Sequence, residues 1–203
     1  MHLSEAERRE INARAARLEA RTGVEAVAAV VGRCDAYPEI PWKAFALFAA
    51  LAALALPALE EPVLAGLTIL GAGATAALAA VLAPPFARRF LGAARGETET
   101  RQYAESFFLA RNLGRTEKRN AILVLVGLFE RSVVILPDAG LRLGEADLRE
   151  PIARMLPALA AGNITAALRD GLDAIEALLA AKGFKGEGGR DEIAQEVFEE
   201  KGA

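Results

Sequence analysis

Between Ala44 and Ala87 the chain runs for 44 residues with only two charged side chains, Glu60 and Glu61, side by side near the middle. The sequence on either side is polar and amphipathic. A segment of this length and apolarity is long enough to cross a bilayer twice, and an even number of crossings returns a chain to the side it left. The flanking pieces are therefore expected to meet as one domain on one membrane face.

The 16 residues from Ala44 to Leu59 give about 24 Å of helix, against a hydrocarbon core of about 30 Å. Trp42 and Lys43, whose ring and ammonium suit the interface, make up most of the difference. The second run, Val63 to Phe86, is long enough unaided, and its Leu, Val, Ile and Phe residues favour insertion, offset in part by Gly66, Gly71 and Gly73. Small residues recur at four-residue spacing, at Ala46, Ala50 and Ala49, Ala53, then at Ala72, Ala76, Ala80 and Gly73, Ala77. Such spacing lets two helix backbones approach closely in lipid. The expectation is an antiparallel transmembrane hairpin turning at Glu60, Glu61 and Pro62, and the alternative is a buried helical pair inside a soluble bundle. Arg33 and Lys43 precede the first run, Arg88, Arg89 and Arg95 follow the second, and the turn holds no Lys or Arg. By the positive-inside rule the polar pieces and both termini stay in the cytoplasm, with the hairpin in the inner (plasma) membrane. The first two dozen residues alternate charge with Ala, Ile and Leu without a continuous apolar core, so no signal peptide is expected there.

Outside the hairpin remain roughly 130 to 140 residues, the size of one ordinary domain. The formal net charge of -3, with no basic block, argues against a nucleic-acid surface. The single cysteine, Cys34, cannot form an intramolecular disulfide and fits a reducing compartment.

Ser4 followed by Glu7 is a capping-box pattern, and Ile11, Ala15, Leu18 and Thr22 recur at helical spacing up to Gly23. Val24 to Val31 is a small, valine-rich run that reads as a strand covered on both faces. After the hairpin, Glu97 and Glu99 suit a helix N-terminus, and Tyr103, Phe107, Phe108 and Ala110 supply its apolar face. Ala121 to Phe129 and Ser132 to Leu136 read as a β-hairpin with a two-residue turn at Glu130 and Arg131. Leu148, Ile152, Met155 and Leu159 mark another helix, bent by Pro151 and Pro157. Asn163 caps a last one carrying Ile164, Leu168, Leu172, Ile175 and Leu179. A glycine-rich linker, Gly186 to Gly189, precedes a short acidic amphipathic stretch, Asp191 to Lys201.

One helix and one strand cannot bury a core alone, so residues 1–40 must combine with the later strands, the first strand lying parallel to the Ala121 strand. The fold class expected is α/β: a small mixed β-sheet sandwiched by α-helices, with an inserted transmembrane helical hairpin. Its domains are a discontinuous α/β domain over 1–40 and 96–184, the hairpin over 42–90, and a mobile linker and acidic tail over 185–203.

The sole histidine, His2, sits beside the first residue, so a Ser, His, Asp triad or a Cys, His pair is not expected, and neither a phosphate-cradling glycine loop nor an HExxH helix is present. No catalytic or cofactor-binding residue is assigned. Cys34 would need cationic surroundings to act as a thiolate and has only Arg33 close in sequence, so it reads as a buried thiol. Asp35 and Asp138 both follow strands and, with Glu130 or Glu105, could offer oxygen ligands to calcium or magnesium, while solvated turn carboxylates are the alternative.

The segments LSEAERREINARAARLEARTGVEAVAAVV, YAESFFLARNLGRTEKRNAILVLVGLFERSVVILPDAGL and AGNITAALRDGLDAIEALL together resemble the TPM-domain family, small α/β domains of bacterial membrane proteins and of thylakoid proteins linked to photosystem repair. The most specific piece is NAILVLVGLFERSVVILPDAGL. The resemblance implies a sheet sandwiched by helices, and Glu130 and Arg131 match the family's hairpin motif. Many members are exported and anchored at the C-terminus, whereas here the domain is split around a hairpin. The acidic pair that often opens the domain in calcium-binding or phosphatase-like relatives has no counterpart before Leu3.

Two functional readings follow. One is a membrane-tethered, non-catalytic interaction domain that supports assembly or repair of a membrane protein complex. The other, implied by some relatives, is a phosphatase-like enzyme dependent on calcium or magnesium, with Asp35 and Asp138 among its ligands.

Overall fold

A computed structural model describes residues 3–55, 61–116, 118–186 and 197–203. The chain divides into two compact units, one made of Met1–Asp35 with Glu97–Ala203 and the other of Ala36–Gly96.

The first unit opens with helix α1 (Glu5–Thr22), whose capping box is made: Ser4 Oγ accepts from the Glu7 amide, and the Glu7 carboxylate accepts from the Ser4 amide. Ile11, Ala15, Leu18 and Thr22 are its buried face, and Gly23 ends it at φ 70, a left-handed turn that glycine takes without strain. Strand β1 (Glu25–Arg33) lies parallel to β2 (Ala121–Gly127), pairing Glu25 with Ala121 through Val31 with Gly127. Strand β3 (Ser132–Pro137) is antiparallel to β2. Between β1 and β2 the chain passes through α5 (Ala93–Ala110), and after β3 come α6 (Glu145–Ala160) and α7 (Ile164–Ala181).

Because successive strand residues face opposite ways, the unit has two cores. On one face Ala26, Ala28, Val30, Ile122, Val124 and Val126 pack with the apolar faces of α1, α6 and α7. On the other, Val27, Ala29, Val31, Leu123 and Leu125 pack with Ala104 and Phe107 of α5. Helices α1 and α7 are further joined by a ladder of ion pairs, Arg14 and Arg17 to Asp173, and Arg17 and Arg21 to Glu176.

Residues 198–202 depart from the expected mobile tail. They form strand β4 (Phe198–Gly202), parallel to β1, so that the sheet is four-stranded and mixed in the order β3-β2-β1-β4. Residues 197–200 dock because each of these four side chains finds a partner. Val197 is buried in the first core, and Phe198 stacks edge-on against Phe107, ring centroids 5.5 Å apart, under the Arg111 guanidinium. Glu199 pairs with Arg8 at 2.7 Å, while Glu200 accepts from the Tyr103 hydroxyl and from Arg111. The first part of the expected acidic helix, residues 191–196, lies outside the described residues.

Three smaller corrections concern helix and turn boundaries. The β2–β3 connection is four residues, 128–131, rather than two, because the Leu128 and Phe129 amides turn aside to Val31 and Gly32 carbonyls of β1. Helix α5 begins at Ala93, which puts Glu97 and Glu99 inside it rather than at its start. The long second apolar run is broken at Ala83, where Pro84 forces its predecessor out of the helical region (φ -119, ψ 93).

The second unit holds α2 (Glu39–Ala55), α3 (Pro62–Leu82), the four-residue α4 (Pro84–Ala87) and a 3-10 turn at Arg88–Phe90. Helices α2 and α3 pack on each other. Gly73, Ala76 and Ala80 are the buried residues of α3, and Ile40 and Ala44 those of α2. A Cβ on Gly73 would lie 2.8 Å from the Phe45 ring, so that glycine is what admits the ring. Among the described residues only α3 is long and apolar enough to cross a membrane; α2 is described for 17 residues. The expected turn at Glu60 falls outside the described residues, and Pro62 opens α3 at a position where proline is well tolerated.

The β4 contact yields two predictions. A Cβ on Gly32 would stand 2.7 Å from the Lys201 carbonyl oxygen, so Gly32→Ala should displace β4 at a cost of about 1–3 kcal/mol. Hydrogen exchange should then quicken in residues 198–202 and leave the β1–β2 ladder protected. The Tyr103 hydroxyl, helped by Arg111, holds the Glu200 carboxyl below its ordinary 4.5. A depressed carboxylate stabilises the fold above its unfolded pKa and loses that contribution as pH falls through the folded value. Stability measured from pH 7 to pH 3 should therefore fall below about pH 4.5, less steeply in Glu200→Gln.

Candidate functional site

The parallel pairing of β1 and β2 brings Cys34 and Asp35, which follow β1, beside the β2–β3 connection. The Leu128 and Phe129 amides donate to Val31 and Gly32 carbonyls at 2.9 and 3.1 Å, and Arg131 reverses the chain at φ 52. That path turns Glu130 inward. Its Oε1 accepts from the Cys34 amide at 2.9 Å, and the Arg33 guanidinium lies 4.4 Å over the Phe129 ring. Gly127 makes room for the corner: a Cβ there would sit 2.8 Å from Glu130 Oε2, 3.1 Å from Cys34 Sγ and 3.3 Å from Thr100 Oγ1. Thr100, on α5, is fully buried.

The chemistry of this corner is that of a held thiol. Burial is the first cause that pushes the Cys34 thiol up to about 12, and the nearby Glu130 charge adds to it, while the bond from the Thr100 hydroxyl opposes it weakly. At neutral pH the sulfur stays protonated and bonds to the Glu130 carboxylate rather than attacking an electrophile. Cys34, Glu130 and Thr100 thus fasten the ends of β1 and β2 to α5.

Of the sequence candidates for metal ligation, Glu130 and Asp35 lie at this end of the sheet and Asp138 does not. The Asp138 amide donates to the Ala121 carbonyl, at the start of β2. Since β3 runs against β2, a residue following β3 sits one strand length from a residue following β1, about 20 Å at ~3.3 Å per residue. Asp138 is buried and committed locally: Oδ1 accepts from the Ala139 amide at 2.7 Å and from Arg119 at 3.1 Å, capping a 3-10 turn. Glu105 lies on the exposed side of α5. The ligand set combining Asp35, Asp138 and Glu130 is therefore not assembled, and no group of three His, Cys, Asp or Glu side chains able to hold a metal occurs among the described residues. His2 lies outside them.

A cleft of about 350 Å³ opens elsewhere on this unit, lined by Leu3, Glu7, Val30, Asn163, Ile164 and Glu199 among others. Sequence reasoning missed it because one wall is β4. Its carboxylates are engaged, Glu7 with Ser4 and Thr165, and Glu199 with Arg8 and the Leu3 amide.

A protonated, buried Cys34 should react slowly. A rise from 9.0 to about 12 lowers the thiolate fraction at neutral pH roughly a thousandfold. Iodoacetamide labelling at pH 7 should be slow in the folded protein and become rapid on denaturation. Prompt stoichiometric labelling of the folded protein would contradict the held thiol.

The family model for the TPM domain matches residues 79–178. The match begins near the end of α3 and ends within α7, leaving α1, β1 and β4 outside it. The NMR structure of the BA42 protein from the psychrophilic bacterium Bizionia argentinensis is similar in fold: TM-score 0.60, 14% sequence identity, covering 98% of this chain and 96% of that one. No curated protein matches the chain. Residues 79–178 carry a TPM-domain match, set in a mixed α/β fold of the kind BA42 adopts.

Proposed function

We propose that this chain is a membrane-tethered, non-catalytic TPM-domain protein of the inner (plasma) membrane, with the α2–α3 hairpin crossing twice and the α/β unit in the cytoplasm, where it supports a membrane protein complex. The observation that carries the tether is the surface of the hairpin. On α3, Val63, Leu67, Leu70, Leu78 and Leu82 are 58–73% exposed, and on α2 Leu51 and Leu54 are 51% and 77% exposed. Apolar surface this continuous is unfavourable in water, and in lipid it is the surface that insertion requires. Helix α3, with 21 residues, is about 31 Å long, a match to the hydrocarbon core.

The non-catalytic part is supported by the protonated thiol at Cys34 and by the separation of Asp138 from Asp35 and Glu130. The metal-dependent phosphatase-like reading would need ligands that the sheet holds at opposite ends. An assembly role fits a domain whose distinguishing feature is an anchor.

Membrane fractions test the proposal. The full chain should resist alkaline carbonate and leave the membrane only with detergent, and crosslinking in membranes should trap a defined protein partner. Recovery in the soluble fraction would overturn the tether. Phosphate release from phosphomonoesters that depends on millimolar calcium or magnesium would overturn the non-catalytic reading.

A further inference from the structure

The hairpin is polarised along its length. At one end lie the first turns of α2 and the segment that follows α3, and there the fold gathers aromatic rings. Phe48 of α2 stands 6.0 Å from Phe86 of α4, Phe86 stands 5.3 Å from Phe90 in the 3-10 turn, and Trp42 lies edge-on to Phe45 at 6.2 Å. Both α4 and the 3-10 turn pack on α2. Within residues 36–96 the same end carries Lys43, Arg88, Arg89 and Arg95 together with Glu39, which lies 3.9 Å from Arg95. At the other end Glu61 precedes α3, and the sequence there has no basic residue.

Rings at the headgroup level with cations beside them are the chemistry of a lipid–water interface, and excess positive charge there is complementary to anionic headgroups. We infer that the basic, aromatic end of the α2–α3 pair is a docking surface for anionic phospholipid headgroups, with Lys43 and Arg89 making the headgroup contacts. Both side chains are exposed and have no ion-pair partner among the described residues. Trp42, 72% exposed on the turn that carries Lys43, lies at the level of those headgroups. This deepens the proposed function and rests on its membrane reading.

Trp42 is the chain's only tryptophan and so reports this end alone. The full chain would be reconstituted in mixed vesicles of phosphatidylglycerol and phosphatidylcholine, with one lipid brominated in the acyl chain at a time. Brominated phosphatidylglycerol should quench Trp42 more than brominated phosphatidylcholine at equal mole fraction. In K43Q/R89Q the local enrichment should fall roughly fivefold per charge removed, and salt should weaken it in the native chain. The thermal midpoint of K43Q/R89Q in neutral lipid should stay at the native value. Equal quenching by the two lipids, or a preference that survives K43Q/R89Q, overturns the docking surface and leaves the tether standing. Quenching by neither lipid overturns the tether itself.

Discussion

The seven-residue ladder between β1 and β2 is the constraint on which the rest depends. It joins residues on either side of the Ala36–Gly96 insertion, so wherever that insertion goes, its two ends belong to one sheet. Each strand supplies side chains to both cores, and neither core exists without the pairing. An apolar insertion obeying this condition cannot cross a bilayer once. The two-pass topology proposed for the hairpin meets this condition, because an even number of crossings returns the chain to the sheet it left.

The same ladder explains the corner at Cys34. Parallel strands end side by side, so the residues that follow β1 and the connection that follows β2 share a confined space. Gly127 vacates that space, Glu130 turns into it, and the carboxylate meets the Cys34 amide and thiol. A buried carboxylate is costly without hydrogen bonds, and here it accepts from a backbone amide. One oxygen of that carboxylate is satisfied in this way, while Oε2 is buried without a hydrogen-bond partner among the described residues.

Much of this was legible in the residues. The helical faces of α1 and α7 could be read from spacing alone, as Ile11, Ala15, Leu18 and Thr22, and Ile164, Leu168, Leu172, Ile175 and Leu179, all of them buried. Strand β4 was not legible, because Phe-Glu-Glu-Lys-Gly has neither the alternation nor the β-branched content of a strand. Its conformation comes from Arg8, Tyr103 and Arg111, which meet it only once the sheet is formed. Leu128 and Phe129 look like more strand because their side chains are apolar, yet their amides serve a different partner. The separation of Asp138 from Asp35 was within reach: with β1 parallel to β2 and β3 antiparallel to both, residues that follow β1 and β3 must lie at opposite ends.

The α/β unit and the hairpin differ in how their side chains are partnered. In the α/β unit, acidic side chains are drawn into neighbours: Glu176 into Arg17 and Arg21, Glu199 into Arg8, and Asp147 into Lys182. Such pairs contribute little each, since most are partly solvated. In the hairpin the balance is reversed. Apolar side chains face outward, and Lys43 and Arg89 have no counter-charge among the described residues. Exposed apolar surface of this extent is costly in water, and the proposed bilayer with an anionic face would answer both features at once: acyl chains covering the leucines and valines, headgroups meeting the cations.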